Sequence, residues 1–192
     1  MSKFKYLYEY CQTLTPKVSR ELILPKIHEI TGVENVRTIK SGLDITVTRG
    51  YFLSAQNKEN HLVRQFGCNL IVLARDQNKC WERFVNTKEM MHLFDEDGEP
   101  TSTPEELEKL LTDFEMPSAT EAPSHQTISE RKGFWMALAC LCPEKSRIEF
   151  KSLRDKGHID NYGIALQLRI PEQYVPLLFQ SRYRMIVDAL IA

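Results

Sequence analysis

The stretch Arg83-Phe84-Val85-Asn86-Thr87-Lys88-Glu89-Met90-Met91-His92 decides how the rest of the chain is read. Side chains four positions apart on a helix project from one face. With histidine at position 88 the run would be H-E-x-x-H, where two imidazoles share a Zn2+ and the glutamate serves as general base to the bound water. The chain reads K-E-x-x-H instead. Glu89 holds the base position and His92 the position of the second ligand, while an ammonium stands where the first ligand belongs. A site of this kind needs a further protein ligand, commonly a carboxylate on a later helix. Glu130, at the start of a largely apolar run, is the candidate.

Around this run the periodicity alternates between helix and strand. Asn69-Leu70-Ile71-Val72-Leu73-Ala74 is the most apolar strand candidate, and Asp76-Gln77-Asn78 makes a turn into a motif helix over residues 80–94. Upstream, aromatics and leucines at helical spacing predict a helix over residues 4–14. A second follows Pro16, with Leu22, Ile23, Ile27 and Ile30 as its apolar stripe and Gly32 as its stop. Strands are expected over residues 36–39 and 43–48, where Leu43, Ile45 and Val47 alternate with polar residues, and again from Tyr51.

Downstream, Thr103-Pro104-Glu105-Glu106 combines a cap, a first-turn proline and acids favoured by the helix dipole, predicting a helix to about Phe114. Residues 115–127 read as a loop or linker. Ser129 is expected to cap a helix that stops before Pro143, and short helices finish the chain. The reading divides the chain into residues 1–114, the linker, and a helical C-terminal part over residues 128–192.

With 192 residues, 42% hydrophobic and 27% charged, the composition is that of a globular protein able to bury a real core. A net charge of -1 gives no electrostatic case for nucleic acid. No segment approaches 18 continuous apolar residues, so no membrane span is expected. Five cysteines (Cys11, Cys68, Cys80, Cys140, Cys142) form no spaced framework, which points to free thiols in a reducing cytoplasm. His28, His61, His125 and His158 lack ligand spacing, although the fold could bring one of them to His92.

The chain resembles the ImmA/IrrE family of metallopeptidase-like proteins. The family pattern is a strand, R-F-T-x-A-H-E-x-x-H, a variable acidic segment, and then E-x-x-A-N-x-F-A-x-x-L-L-x-P. Arg83-Phe84 matches the R-F, residues 87–94 cover the motif helix, and the run from Glu130 to Pro143 matches the second block in length, first glutamate and closing proline. Residues 162–175 resemble the family's helix-turn-helix-like segment, and the likeness extends over about residues 69–179. Two departures stand out: Lys88 replaces the first histidine, and Gly133-Phe134 replaces the A-N pair.

The resemblance implies an α+β, zincin-like fold: a small, mainly antiparallel sheet packed with helices and followed by a helical C-terminal region. It also implies Zn2+ held at the positions of His92 and Glu130, with Glu89 as catalytic base, in any member that is active. An ammonium cannot ligate zinc and repels it, so this chain is expected to carry no zinc or to bind it weakly. Lys88 is instead expected to reach Glu130 and supply the positive charge itself.

Two functions follow. One is a degenerate peptidase scaffold that binds a peptide or protein partner, such as a transcriptional regulator, in prophage or mobile-element regulation. The other is an active zinc-dependent endopeptidase that cleaves such a regulator. In the first case Asn69–Ala74 is expected to dock the peptide by strand addition. DNA binding through the C-terminal helices is a weaker reading, because residues 171–177 offer no base-reading Arg, Lys or Asn.

Overall fold

The computed structural model describes residues 2–95 and 125–192. The helix expected over residues 103–114 and the loop over residues 115–124 lie outside the described residues. The elements are α1 (Lys3–Gln12), α2 (Arg20–Thr31), β1 (Val36–Ser41), β2 (Gly50–Leu53), α3 (His61–Phe66), β3 (Asn69–Ala74) and α4 (Lys79–Met91). They continue with α5 (His125–Leu141), α6 (Glu144–Asp155), α7 (Asn161–Leu168), α8 (Val175–Leu178) and α9 (Tyr183–Ile191). The architecture is α+β.

The three strands are ordered β1-β3-β2. β1 runs parallel to β3, from Val36 opposite Asn69 to Ser41 opposite Ala74, and β2 runs antiparallel to it. The sheet is therefore mixed rather than mainly antiparallel. β2 and α3 form the crossover that lets β3 re-enter beside β1 in the same direction. The central place of β3 explains its composition. Ile71 and Leu73 join the main core on one face, while Leu70 and Val72 pack with Val63 of α3 on the other. A strand covered on both faces needs an uninterrupted apolar run.

That position also corrects the docking expectation for Asn69–Ala74, since strand addition requires an unpaired edge and both edges of β3 are paired. The strand expected over residues 43–48 is a turn. Asp44 accepts hydrogen bonds from the Thr46 N–H (2.9 Å) and hydroxyl (2.7 Å), and its carbonyl accepts from the N–H of Val47 and Thr48. This local side-chain bonding displaces a ladder. The apolar alternation was misleading there, since Val47 is 68% exposed.

In α2 the buried stripe is Ile23 and Ile27 with Ile30 packed against it, while Leu22 is exposed. It lies one residue, about 100°, off the i, i+4, i+7 line.

Helix α4 starts where Asn78 accepts hydrogen bonds from the N–H groups of Cys80 and Trp81, both at 3.0 Å. It crosses β2 and β3 and packs on α5. At Gly50 of β2 a Cβ would stand 2.7 Å from Cγ1 of Val85, so the helix lies almost on the strand backbone. Phe84, Met90 and Met91 fill the core beneath.

Arg83 ties this helix to two distant segments. Its guanidinium donates to the carbonyls of Val18, Leu168 and Arg169. Those of Leu168 and Arg169 end α7, where Arg169 takes a left-handed conformation (φ 54°). Burial pushes the guanidinium pKa down to about 10, and Arg169 adds to this. Replacing Arg83 by methionine removes the donors and strands the carbonyls. We expect a loss of about 2–4 kcal/mol, read from urea unfolding, with α7 the first region to lose amide protection in hydrogen exchange.

Candidate functional site

Glu89, His92 and Glu130 come together where α4 meets α5. The approach is close: a Cβ on Gly133 of α5 would sit 3.5 Å from the carbonyl oxygen of Lys88. That is ordinary contact, so alanine would also fit, and Phe134 packs edge-on against Phe84 and Tyr174. Packing thus accounts for Phe134, while nothing in the structure requires glycine at position 133.

His92 ends α4 as its C-cap, one turn beyond Lys88. Its Nε2 lies 3.3 Å from Oε1 of Glu130 and 3.5 Å from Oε2 of Glu89. Its Nδ1 pairs with the Asp95 carboxylate at 2.5 Å, and its ring stacks on Phe52 of β2. The Ser129 hydroxyl donates to the same Asp95 oxygen (2.7 Å) and lies 3.0 Å from Nδ1. A carboxylate on one imidazole nitrogen fixes the ring and aims the other nitrogen into the site.

Sequence reading missed Asp95 and misassigned Ser129. The helix already includes His125, four residues before Ser129 and inside the stretch expected to be linker. Ser129 is therefore not its cap but a buried hydroxyl facing the site. An acid three residues after the motif histidine was the available signal for Asp95.

Lys88 completes the cluster. Its ammonium hydrogen-bonds Oε2 of Glu130 and lies 3.0 Å from Oε1 of Glu89. The latter contact is an ion pair without hydrogen-bond geometry, and both Glu89 oxygens are buried with no hydrogen-bond partner among the described residues.

The charges are uneven. Burial would drive the Lys88 ammonium to lose its proton, but Glu130 and then Glu89 outweigh it and hold the pKa above the usual lysine range. Glu130 is correspondingly held far below the usual carboxylate range: burial opposes ionisation, and Lys88 and His92 overcome it. For Glu89 burial dominates, and its pKa rises despite Lys88. His92 is pushed up to about 10, because Glu130 and the bond to Asp95 outweigh desolvation.

A pH dependence of stability follows. The His92 pKa rises from 6.5 to about 10 on folding, so its contribution is complete below about pH 6.5 and is lost as pH climbs through 10. Glu89, also raised, loses stability in the same direction. Glu130, lowered, contributes above its ordinary 4.5 and loses that contribution as the solution is acidified through its depressed folded value. Urea midpoints measured from pH 3 to 10 should peak on the acid side of neutrality. His92→Gln should flatten the fall above pH 6.5.

By spacing alone, Glu89, His92 and Glu130 could bridge a metal ion: one ligand atom from each lies within 4.8 Å of the others. The chemistry of the set does not fit zinc. Only one imidazole is present, and the Lys88 ammonium already neutralises the Glu130 carboxylate that would bind. Among the described residues no second histidine joins the cluster. What the arrangement does chemically is satisfy Glu130 and His92 with each other and with Lys88.

The C-terminal segment compared with a helix-turn-helix has α7 as its first helix, but its second, α8, is a single turn with Pro176 in that turn. Ile164, Leu168, Val175 and Leu178 are buried, as packing requires. All five cysteines are free, with Cys11, Cys140 and Cys142 in the core. No described helix is long and apolar enough to cross a membrane. Comparisons with protein-family models, with curated proteins and with solved structures found no match to the chain.

Proposed function

We propose that this chain is a zincin-like scaffold of the ImmA/IrrE type whose metal centre has been replaced by an internal ion-pair network, and that it works by binding a peptide or regulatory protein. The observation that carries this reading is the Lys88 ammonium, bonded to Glu130 and 3.0 Å from Glu89. A lysine there supplies in the resting protein the positive charge that a metal would supply, but no Lewis acid. The setting we propose is a reducing cytoplasm and regulation of the prophage or mobile-element kind. The edge strand beside the motif helix is β2, whose Phe52 stacks on His92. Peptide addition would use β2, not β3.

The rival reading is a zinc endopeptidase with Glu89 as base and His92 and Glu130 as ligands. It draws on the 4.8 Å cluster but requires Lys88 to leave Glu130. An unfolded protein substrate incubated with the purified chain and added zinc separates the two. Our reading expects no chelator-sensitive cleavage, with Glu89→Gln indistinguishable from the parent. Chelator-sensitive cleavage abolished by Glu89→Gln would establish the rival.

A further inference from the structure

On the side of α5 away from the motif helix lies a groove of about 570 Å3 between α5 and α9. Ile128, Arg131 and Trp135 face it from α5, and Ile186 and Leu190 from α9. These positions are spaced i, i+3, i+7 on one helix and i, i+4 on the other. Each helix therefore presents a continuous ridge, and the two ridges leave a trough of the kind a third helix fills.

The walls are apolar, and apart from Ser2 the polar residues lining it are cationic. Arg131 lines the groove, the Arg182 guanidinium stands over the Trp135 ring at 6.0 Å, and among the described residues no carboxylate lines it. Ile128 is 38% exposed.

We infer that this trough is a docking site for an amphipathic helix of a partner protein, with aliphatic anchors at i, i+3/i+4 and i+7 flanked by aspartate or glutamate. Apolar anchors would cover Ile128, Trp135, Ile186 and Leu190, and the acids would meet the cationic rim. Charge argues against a second copy of this chain as occupant. In a two-fold interface the same patch meets itself, so two cationic rims would be brought together. The inference is independent of the reading given to Lys88.

The test uses the full chain and a fluorescein-labelled 18-residue designed helix with leucines at those positions and glutamates between them. A control peptide carries lysine for every glutamate. Fluorescence anisotropy should show the acidic peptide binding at least about tenfold more tightly than the control. Arg131→Glu should weaken the acidic peptide about tenfold, and Ile186→Asp should abolish binding. Ile128→Gln, at a half-exposed position, serves if Ile186→Asp does not fold.

Equal affinity for the two peptides, or binding indifferent to Arg131→Glu, would overturn the inference. So would a dimer of the wild-type chain that Ile128→Gln converts to monomer.

Discussion

Replacing Lys88 by histidine is expected to produce a chain that takes up one zinc ion with an affinity at least about a hundredfold above that of the parent. On the proposed reading, His92 and Glu130 would supply the other ligands. His92 presents Nε2 toward Glu130 at 3.3 Å, and Asp95 on Nδ1 holds the ring in the orientation of a metal ligand. Position 88 lies one turn before His92 on α4, and its present side chain already ends at Glu130. An imidazole there would complete a two-histidine, one-carboxylate set and remove the ammonium that repels the ion. Glu89 would then stand beside the fourth position as in other helical zinc sites. Competition against a chromophoric chelator measures the gain. A variant that folds but binds zinc no better than the parent would mean that the α4–α5 geometry is not that of a metal site.

The second large effect is on stability. Lys88→Met leaves the Glu130 carboxylate, only 17% exposed, facing Glu89 with one cation fewer. Breaking such a pair from one side strands a charge, and we expect a loss of about 3 kcal/mol, or roughly 6–12 °C in Tm for a chain of this size. Removing both charges should cost much less, because the pair's own desolvation is relieved at the same time. A double-mutant cycle of Lys88→Met and Glu130→Gln should show a coupling of about 2 kcal/mol. Coupling under about 0.5 kcal/mol would make Lys88 a neighbour of Glu130 and not its partner.

The elements that were legible in advance are those with strong local signals. α1 has its aromatics and leucines at helical spacing, β3 its apolar run, α4 the turn Asp76-Gln77-Asn78 before it, and the run from Glu130 its closing proline. The four site positions 88, 89, 92 and 130 were also legible, because helical spacing fixes three of them and the second block supplies the last.

What could not be read depends on tertiary choice or on short-range polar bonding. The turn at Asp44 won over a strand because one carboxylate could capture two donors of Thr46. Helix α3 escaped notice although Asn60 caps it and Gly67 (φ 67°) ends it, since six residues carry too little periodicity. The parallel pairing of β1 with β3 lies in chain path and not in either strand's composition. Ser129 entered the site through contact between segments, while the only sequence signal for Asp95 was its place three residues after His92.

If Lys88 has taken the place of a metal ion, the purified protein should carry none. Metal analysis by mass spectrometry on the wild-type chain, purified without added zinc or chelator, tests it most directly. We expect well under one equivalent of any transition metal, unchanged in His92→Ala. One zinc per chain, lost in His92→Ala, would contradict it.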